Sequence, residues 1–284
     1  MRDRLSLAIA ANSSHPYPVM TFIAGDVMDK FQTYYADVRD PAQQPHIAAR
    51  LRDQGLVTFS NLADRAALIA LARRLMTVRP HRDADPDGVT VITGTGTRTS
   101  GYAAFTDDEL MPHTDGSSVP NPPGLVLLAC QRPADGGGTT LVADGELIVG
   151  TLAERYPAAL RSLAAPRAAS FGAAGGYRGP VCEPAGPGRT SIRLRLDDLA
   201  HFSAEAATAI PVLRAVIAQH LETFRLGLGE GMLLSNTRWL HGRDRYSGVR
   251  IMLRILGDPL PGTNVAPGFP SPAPAPDTQA SRAA

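Results

Sequence analysis

Six consecutive apolar residues, Leu125-Val126-Leu127-Leu128-Ala129-Cys130, constrain the fold of this 284-residue chain more than any other segment. The run lacks the alternation of a half-exposed strand and is short for a helix, so it reads as a buried β-strand. Further strands are predicted at Leu56–Phe59, Gly88–Thr93, Leu141–Ala143, Ser191–Leu196, Gly231–Ser235 and Val249–Leu256. In the fourth of these, Ile192, Leu194 and Leu196 alternate with Arg193 and Arg195, the period of a sheet with one face covered. Helical spacing marks His46–Arg52, stopped by Gly55, and a helix capped by Asp64 that carries Leu68, Leu71 and Leu75. Helices are also expected over Gly145–Arg155, Pro157–Leu163 and Ser203–Arg225, the last interrupted near Pro211. Strands and helices do not alternate strictly, which argues for an α+β domain and against a doubly wound sheet.

Composition narrows the function classes. Hydrophobic residues make up 44% and charged residues 19%, enough for a sizeable core. The net charge is +1, so no bulk field attracts nucleic acid or an anionic membrane surface. No run of eighteen apolar residues exists to span a bilayer. The apolar stretch after Arg2 and Arg4 is short and ends at His15-Pro16-Tyr17-Pro18 without a small-residue cleavage site, so it is not read as a signal peptide. Cys130 and Cys182 make neither a disulfide framework nor a CxxC knuckle and read as two reduced thiols in a cytoplasmic protein. Seven prolines over 259–284, with few large apolar side chains, predict a disordered tail. Residues 1–39 are irregular and receive no assignment.

The chemistry concentrates in Met111-Pro112-His113-Thr114-Asp115. In an extended strand, residues two apart point the same way, so His113 and Asp115 project together. His241, within Asn236-Thr237-Arg238-Trp239-Leu240-His241-Gly242-Arg243, is the best third ligand. Two imidazoles and one carboxylate on one face of a metal leave positions open, an arrangement suited to non-haem Fe(II). The triplet His-x-Asp alone is weak. Support comes from Arg250 and Arg254, four residues apart in an apolar strand and therefore on one face. A guanidinium grips a carboxylate bidentately, and a dicarboxylate co-substrate chelating iron needs such an anchor at its far end.

His113-Thr114-Asp115, Pro122-Pro123-Gly124, Gly137-Gly138-Thr139-Thr140-Leu141, Asn236–Arg243 and Arg250–Pro259, in that order, resemble the taurine dioxygenase family of Fe(II)/2-oxoglutarate-dependent oxygenases, relatives of clavaminate synthase. The match covers roughly 111–142 and 231–259, more loosely 51–75. The resemblance implies a double-stranded β-helix (jelly-roll) core with flanking helices. The domain would occupy 1–258, with a helix and strand part at 40–80 and the core at about 88–258, carrying a helical insert at about 144–226. It implies His113, Asp115 and His241 as iron ligands, with Arg250 and Thr140 on the distal carboxylate of 2-oxoglutarate. Arg254 would meet either that co-substrate or the substrate. The expected partners are a small molecule and dioxygen, with succinate and carbon dioxide released. The carboxylate of Asp115 favours hydroxylation over halogenation, since the related halogenases carry a small residue there. The family's taurine-specific features are not visible in the first half, which points to an amino acid or a natural-product intermediate.

Gly94-Thr95-Gly96 is not followed by a dinucleotide fingerprint, Lys30 is the only lysine and offers no Walker loop, and no G-x-S-x-G elbow occurs. Gly136-Gly137-Gly138 reads as a tight turn, and His15, His46, His81, His201 and His220 have no partner pattern. Gly94–Asp108 is a candidate loop over the substrate, with Tyr102 and Phe105 as contacts; Trp239 either lines the site beside His241 or belongs to the core. Two rivals remain open from the residues: a Zn²⁺ hydrolase using the same ligands, and a non-catalytic jelly-roll that binds a small acid.

Overall fold

The computed structural model describes residues 30–94, 103–173 and 176–272. Its frame is two sheets. Their strands are β1 (Leu56–Phe59), β2 (Met76–Val78), β3 (Val89–Thr93), β4 (Leu110–His113), β5 (Leu125–Arg132), β6 (Thr140–Asp144), β7 (Leu221–Phe224), β8 (Gly231–Ser235), β9 (Trp239–Arg243) and β10 (Ile251–Pro259). The larger sheet runs β1-β8-β5-β10-β2, with β3 also paired to β10, and the smaller runs β7-β6-β9-β4.

The apolar run of β5 is explained by what lies on its two faces. Leu125, Leu127 and Ala129 join a cluster with Ile47, Leu51, Leu68, Leu71 and Leu75, the buried stripes of helices Gln44–Asp53 and Arg65–Leu75. Val126, Leu128 and Cys130 join a second cluster with Val142, Phe224 and Trp239 of the smaller sheet. A third cluster covers the outer face of that sheet, where Ala143 and Leu240 meet helices Gly145–Arg155, Pro157–Leu163 and Ala204–Gln219. The molecule is therefore layered helix, sheet, sheet, helix, and both sheets are hydrophobic on both sides. Asp64 caps its helix as the sequence predicts, its carboxylate accepting from the Ala67 N–H at 2.8 Å.

Several expectations are corrected. The helix from Ser203 ends at Gln219, with Pro211 inside it, and Leu221–Phe224 is the edge strand β7, paired with β6 so that Phe224 lies opposite Thr140. Sheet pairing overrides the helical pattern there, and Thr223 and Phe224 suit a strand. The strand predicted over 191–196 stops at Ile192. Beyond it the backbone turns to other partners: Arg193 N–H donates to Val181 O, and Leu194 N–H to the Thr114 hydroxyl. The insert at 144–226 is not purely helical, since short strands occur at Ala169–Phe171, Tyr177–Gly179, Cys182–Gly186, Arg189–Ile192 and Ala200–Phe202. Residues 259–272 are ordered rather than tail-like: Phe269 is fully buried, and Phe269–Pro270 pairs with Arg189–Thr190. One large aromatic side chain outweighs the proline content. Residues 273–284 lie outside the described residues.

Cys130 and Cys182 are both free and buried. Among the described residues no helix is long and apolar enough to cross a membrane.

Candidate metal centre

The site lies between the two sheets. His113, the last residue of β4, is the direct cross-strand partner of His241 on β9, and their ring centroids are 4.6 Å apart. The pairing is irregular: between His241 and Arg243 the register slips against Leu110. Gly242 permits this, because a Cβ there would lie 2.4 Å from Leu110 O.

Asp115 is not in the strand. It opens the turn that follows β4. Its orientation comes from clamps and not from strand alternation, which corrects the sequence argument while keeping the residue at the site. The Thr114 N–H donates to Leu194 O at 2.9 Å. The Asp115 N–H donates to Asn236 Oδ1 at 2.7 Å, and Asn236 Nδ2 donates to Asp115 O and Pro123 O, both at 2.8 Å. Arg193, 4% exposed, donates to Val119 O at 2.6 Å and Pro120 O at 3.0 Å and lies 3.5 Å over the Tyr177 ring, which holds the rest of the turn.

The result is a convergence. One ligand atom from each of His113, Asp115 and His241 lies within 4.8 Å of the other two. His113 Nε2 is 3.9 Å from Asp115 Oδ1, and His241 Nε2 is 3.7 Å from Asp115 Oδ2. His113 Nδ1 lies 2.9 Å from Met111 O. A carbonyl can only accept, so Nδ1 carries the proton and the Nε2 lone pair faces the carboxylate, as a metal requires. Burial pushes the His113 pKa down, and burial together with His113 pushes His241 down to about 3. Burial alone would raise Asp115, but Arg254, His241 and His113 outweigh it and bring its carboxyl to about 2. Two neutral imidazoles, one carboxylate and a buried Asp115 Oδ2 without a hydrogen-bond partner fit a divalent cation.

A cavity opens over the triad. His113, His241, Thr140, Arg243, Arg250 and Arg254 supply its polar lining, and Ile92, Leu128, Met232 and Met252 are among its apolar walls. Arg250, Met252 and Arg254 face it at a spacing of two, whereas Leu253 and Ile255 point into the helix-side core. Arg254 Nη1 donates to Asp115 Oδ1 at 3.0 Å, both side chains being about 8% exposed. Arg250 precedes β10, and among the described residues it has no ion-pair partner; burial lowers its pKa, with the Cys130 thiol and Tyr246 facing it.

The remaining candidates divide. Trp239 is core and not cavity lining: its Nε1 donates to Gln54 O at 2.8 Å and its ring meets Tyr34 edge-on at 5.6 Å. Phe105 packs against the cluster between the sheets and Ala104 takes the place at the cavity wall, while Tyr102 lies outside the described residues. Three contributors escaped the sequence reading. Asn236 opens the Asn236–Arg243 segment, where nothing in the local pattern marks it as a clamp. Arg243 follows His241 at the same spacing of two that should have placed it on the cavity face. His81 feels the charges of Arg254 and Asp115, and burial lowers its pKa; no local pattern signals this.

Two histidines and a carboxylate able to hold one metal ion from one side, beneath a cavity with arginines on its wall, make a candidate mononuclear metal site with room for an anionic ligand. The family model "Taurine catabolism dioxygenase TauD, TfdA family" matches residues 25–256, and the chain belongs to that family of dioxygenases. No curated protein sequence matches it significantly. Its fold is similar to that of asparagine oxygenase (AsnO), with a TM-score of 0.64 at 18% identity over 81% of this chain and 85% of that one. It is also similar to the non-haem iron oxygenase OrfP in complex with Fe, succinate and (3S)-hydroxy-L-Arg, with a TM-score of 0.58 at 15% identity over 81% and 89%. PvcB from Pseudomonas aeruginosa gives 0.58 at 18% identity over 77% and 80%.

Proposed function

We propose that this chain is an Fe(II)- and 2-oxoglutarate-dependent dioxygenase that hydroxylates a C–H bond of a free amino acid or an amino-acid-derived intermediate, with release of succinate and carbon dioxide. The observation that carries this reading is the convergence of His113, Asp115 and His241 beneath a cavity where Arg250 has no counter-ion among the described residues. A Zn²⁺ hydrolase would leave Arg250 and Thr140 without a task. The two-sheet core with its outer helices is read as a double-stranded β-helix in a single domain, and the protein as cytoplasmic.

Each residue has a stated part. His113, Asp115 and His241 would hold the iron on one side and leave the other open. When bound, iron supplies dioxygen activation coupled to oxidative decarboxylation of the keto acid. Arg250 would take the distal carboxylate in a bidentate pair, with the Thr140 hydroxyl donating to the same group. Arg254 keeps Asp115 ionised and oriented. Ile92, Leu128, Met232 and Met252 exclude water from the reacting centre. The amino-acid assignment is supported by asparagine oxygenase, solved with Fe(II), 2S,3S-3-hydroxyasparagine and succinate, at a TM-score of 0.62 and 17% identity over 77% of this chain and 80% of that one.

The test is an anaerobic titration of the Fe(II)-loaded protein with 2-oxoglutarate, following the weak visible charge-transfer band, and then a succinate-release screen of free amino acids under air. A saturable band and amino-acid-stimulated succinate are expected. No band at any concentration refutes the co-substrate, and turnover without oxygen refutes the dioxygenase.

A further inference from the structure

Arg243 is a buried cation that the reaction as proposed does not use. It is 3% exposed and lines the same cavity as Arg250 and Arg254. On β9 it lies opposite Thr140 of β6, so its side chain shares a face with that hydroxyl and with His241 two residues earlier. Its guanidinium donates to the main-chain carbonyls of Thr106 and Asp108, to Ala103 O at 3.3 Å and to Asp244 O at 3.4 Å. Three of these four acceptors belong to residues 103–108, whose Ala104 forms part of the cavity wall.

The electrostatics are unusual for a structural arginine. Its bonded acceptors are neutral carbonyls. Tyr246 is flanked by two guanidinium groups, Arg243 at 4.8 Å and Arg250 at 5.8 Å from the ring centroid. Arg243 is thus a desolvated guanidinium held near a second one, Arg250, and like charges repel. An anion entering the cavity offsets that repulsion.

We propose that Arg243 is a positioning residue for the co-substrate: it fixes segment 103–108 as a wall of the cavity, and a dicarboxylate held at Arg250 and Thr140 strengthens that attachment. By linkage, whatever tightens the wall tightens the dicarboxylate by the same factor. This rests on the 2-oxoglutarate reading above, and the experiment separates the two.

The Fe(II)-loaded parent, Arg243→Gln, Arg243→Lys and Arg250→Gln are titrated anaerobically with 2-oxoglutarate, and amide exchange of 103–110 is measured with and without it. In the parent, 2-oxoglutarate is expected to slow exchange over 103–110. Arg243→Gln should raise the 2-oxoglutarate Kd at least tenfold, keep its iron, and show fast exchange in both conditions. Arg243→Lys, which keeps the charge without the fork, should fall between the two in Kd and fail to restore protection; it also serves if the glutamine variant does not fold. A Kd within twofold of the parent for both Arg243 variants, or parent exchange indifferent to 2-oxoglutarate, overturns the inference while a raised Kd in Arg250→Gln leaves the functional reading intact. A parent that does not bind 2-oxoglutarate overturns both.

Discussion

Asn236 wraps its side-chain amide around the backbone of Asp115, accepting from its N–H at 2.7 Å and donating to its carbonyl at 2.8 Å, with both residues buried. The same amide donates to Pro123 O. One side chain thus ties the connection leading into β9 to the turn that presents the carboxylate.

Asn236→Ala should therefore act on the metal as well as on the fold. Orphaning these buried groups costs about 1–3 kcal/mol. The melting temperature should drop by several degrees, and Fe(II) or Co(II) affinity, measured calorimetrically, should fall beyond what the lost stability explains. An affinity equal to the parent's would mean that the amide holds the chain but does not aim the ligand.

Arg254→Met removes the counter-charge of a buried carboxylate. Breaking a buried pair on one side costs about 3–5 kcal/mol. A divalent metal replaces the missing positive charge, so the metal-free variant should be much less stable than the metal-free parent, and saturating metal should narrow the gap. Equal losses with and without metal, read by thermal denaturation, would deny the electrostatic role.

Three groups at the metal site contribute to the pH dependence of the metal-free protein, because their folded pKa values all lie below their ordinary ones. A lowered pKa means that the unfolded chain binds protons the folded chain refuses, so stability rises with pH. The His113 and His241 contributions are complete above about pH 6.5 and decline as pH falls, His241 toward about 3. The Asp115 contribution is complete above about pH 4 and is lost toward 2. Denaturant midpoints should fall steadily from pH 7 to pH 4, and metal binding at pH 7 should release almost no protons. A proton count near two at pH 7 would contradict neutral imidazoles.

Arg250→Ala should weaken 2-oxoglutarate binding by roughly 1.5–3 kcal/mol, about ten- to a hundredfold, through loss of charge-assisted bonds. Metal affinity should be unchanged. The anaerobic charge-transfer titration reads the first and calorimetry the second; an unaltered 2-oxoglutarate Kd would remove Arg250 as the anchor.

Much of the fold is legible where a local rule has no competitor. The β5 run, the Asp64 cap and the period-two facing of Arg250, Met252 and Arg254 all follow from spacing. The failures share a cause. Leu221–Phe224 continues a helical pattern and becomes a strand because β6 offers an unpaired edge. Residues 193–196 alternate like a strand, but their donors go to Val181 and Thr114. Asp115 belongs to the site for a reason the sequence argument did not use: a turn clamped by residues 80 and 121 positions away, Leu194 and Asn236. Such long-range bonds leave no periodic trace. Arg243 is different, since its spacing from His241 was readable.

Phe269 gives the proline-rich end a mechanical meaning. The ring wedges between the start of helix Gly145–Arg155 and the hairpin formed by 182–192, and it is fully buried there. Trimming the chain at Asp258 on the strength of its composition would pull out this plug and open the outer layer behind β6 and β9, so a designer shortening the protein should cut no earlier than the residues that follow Pro270.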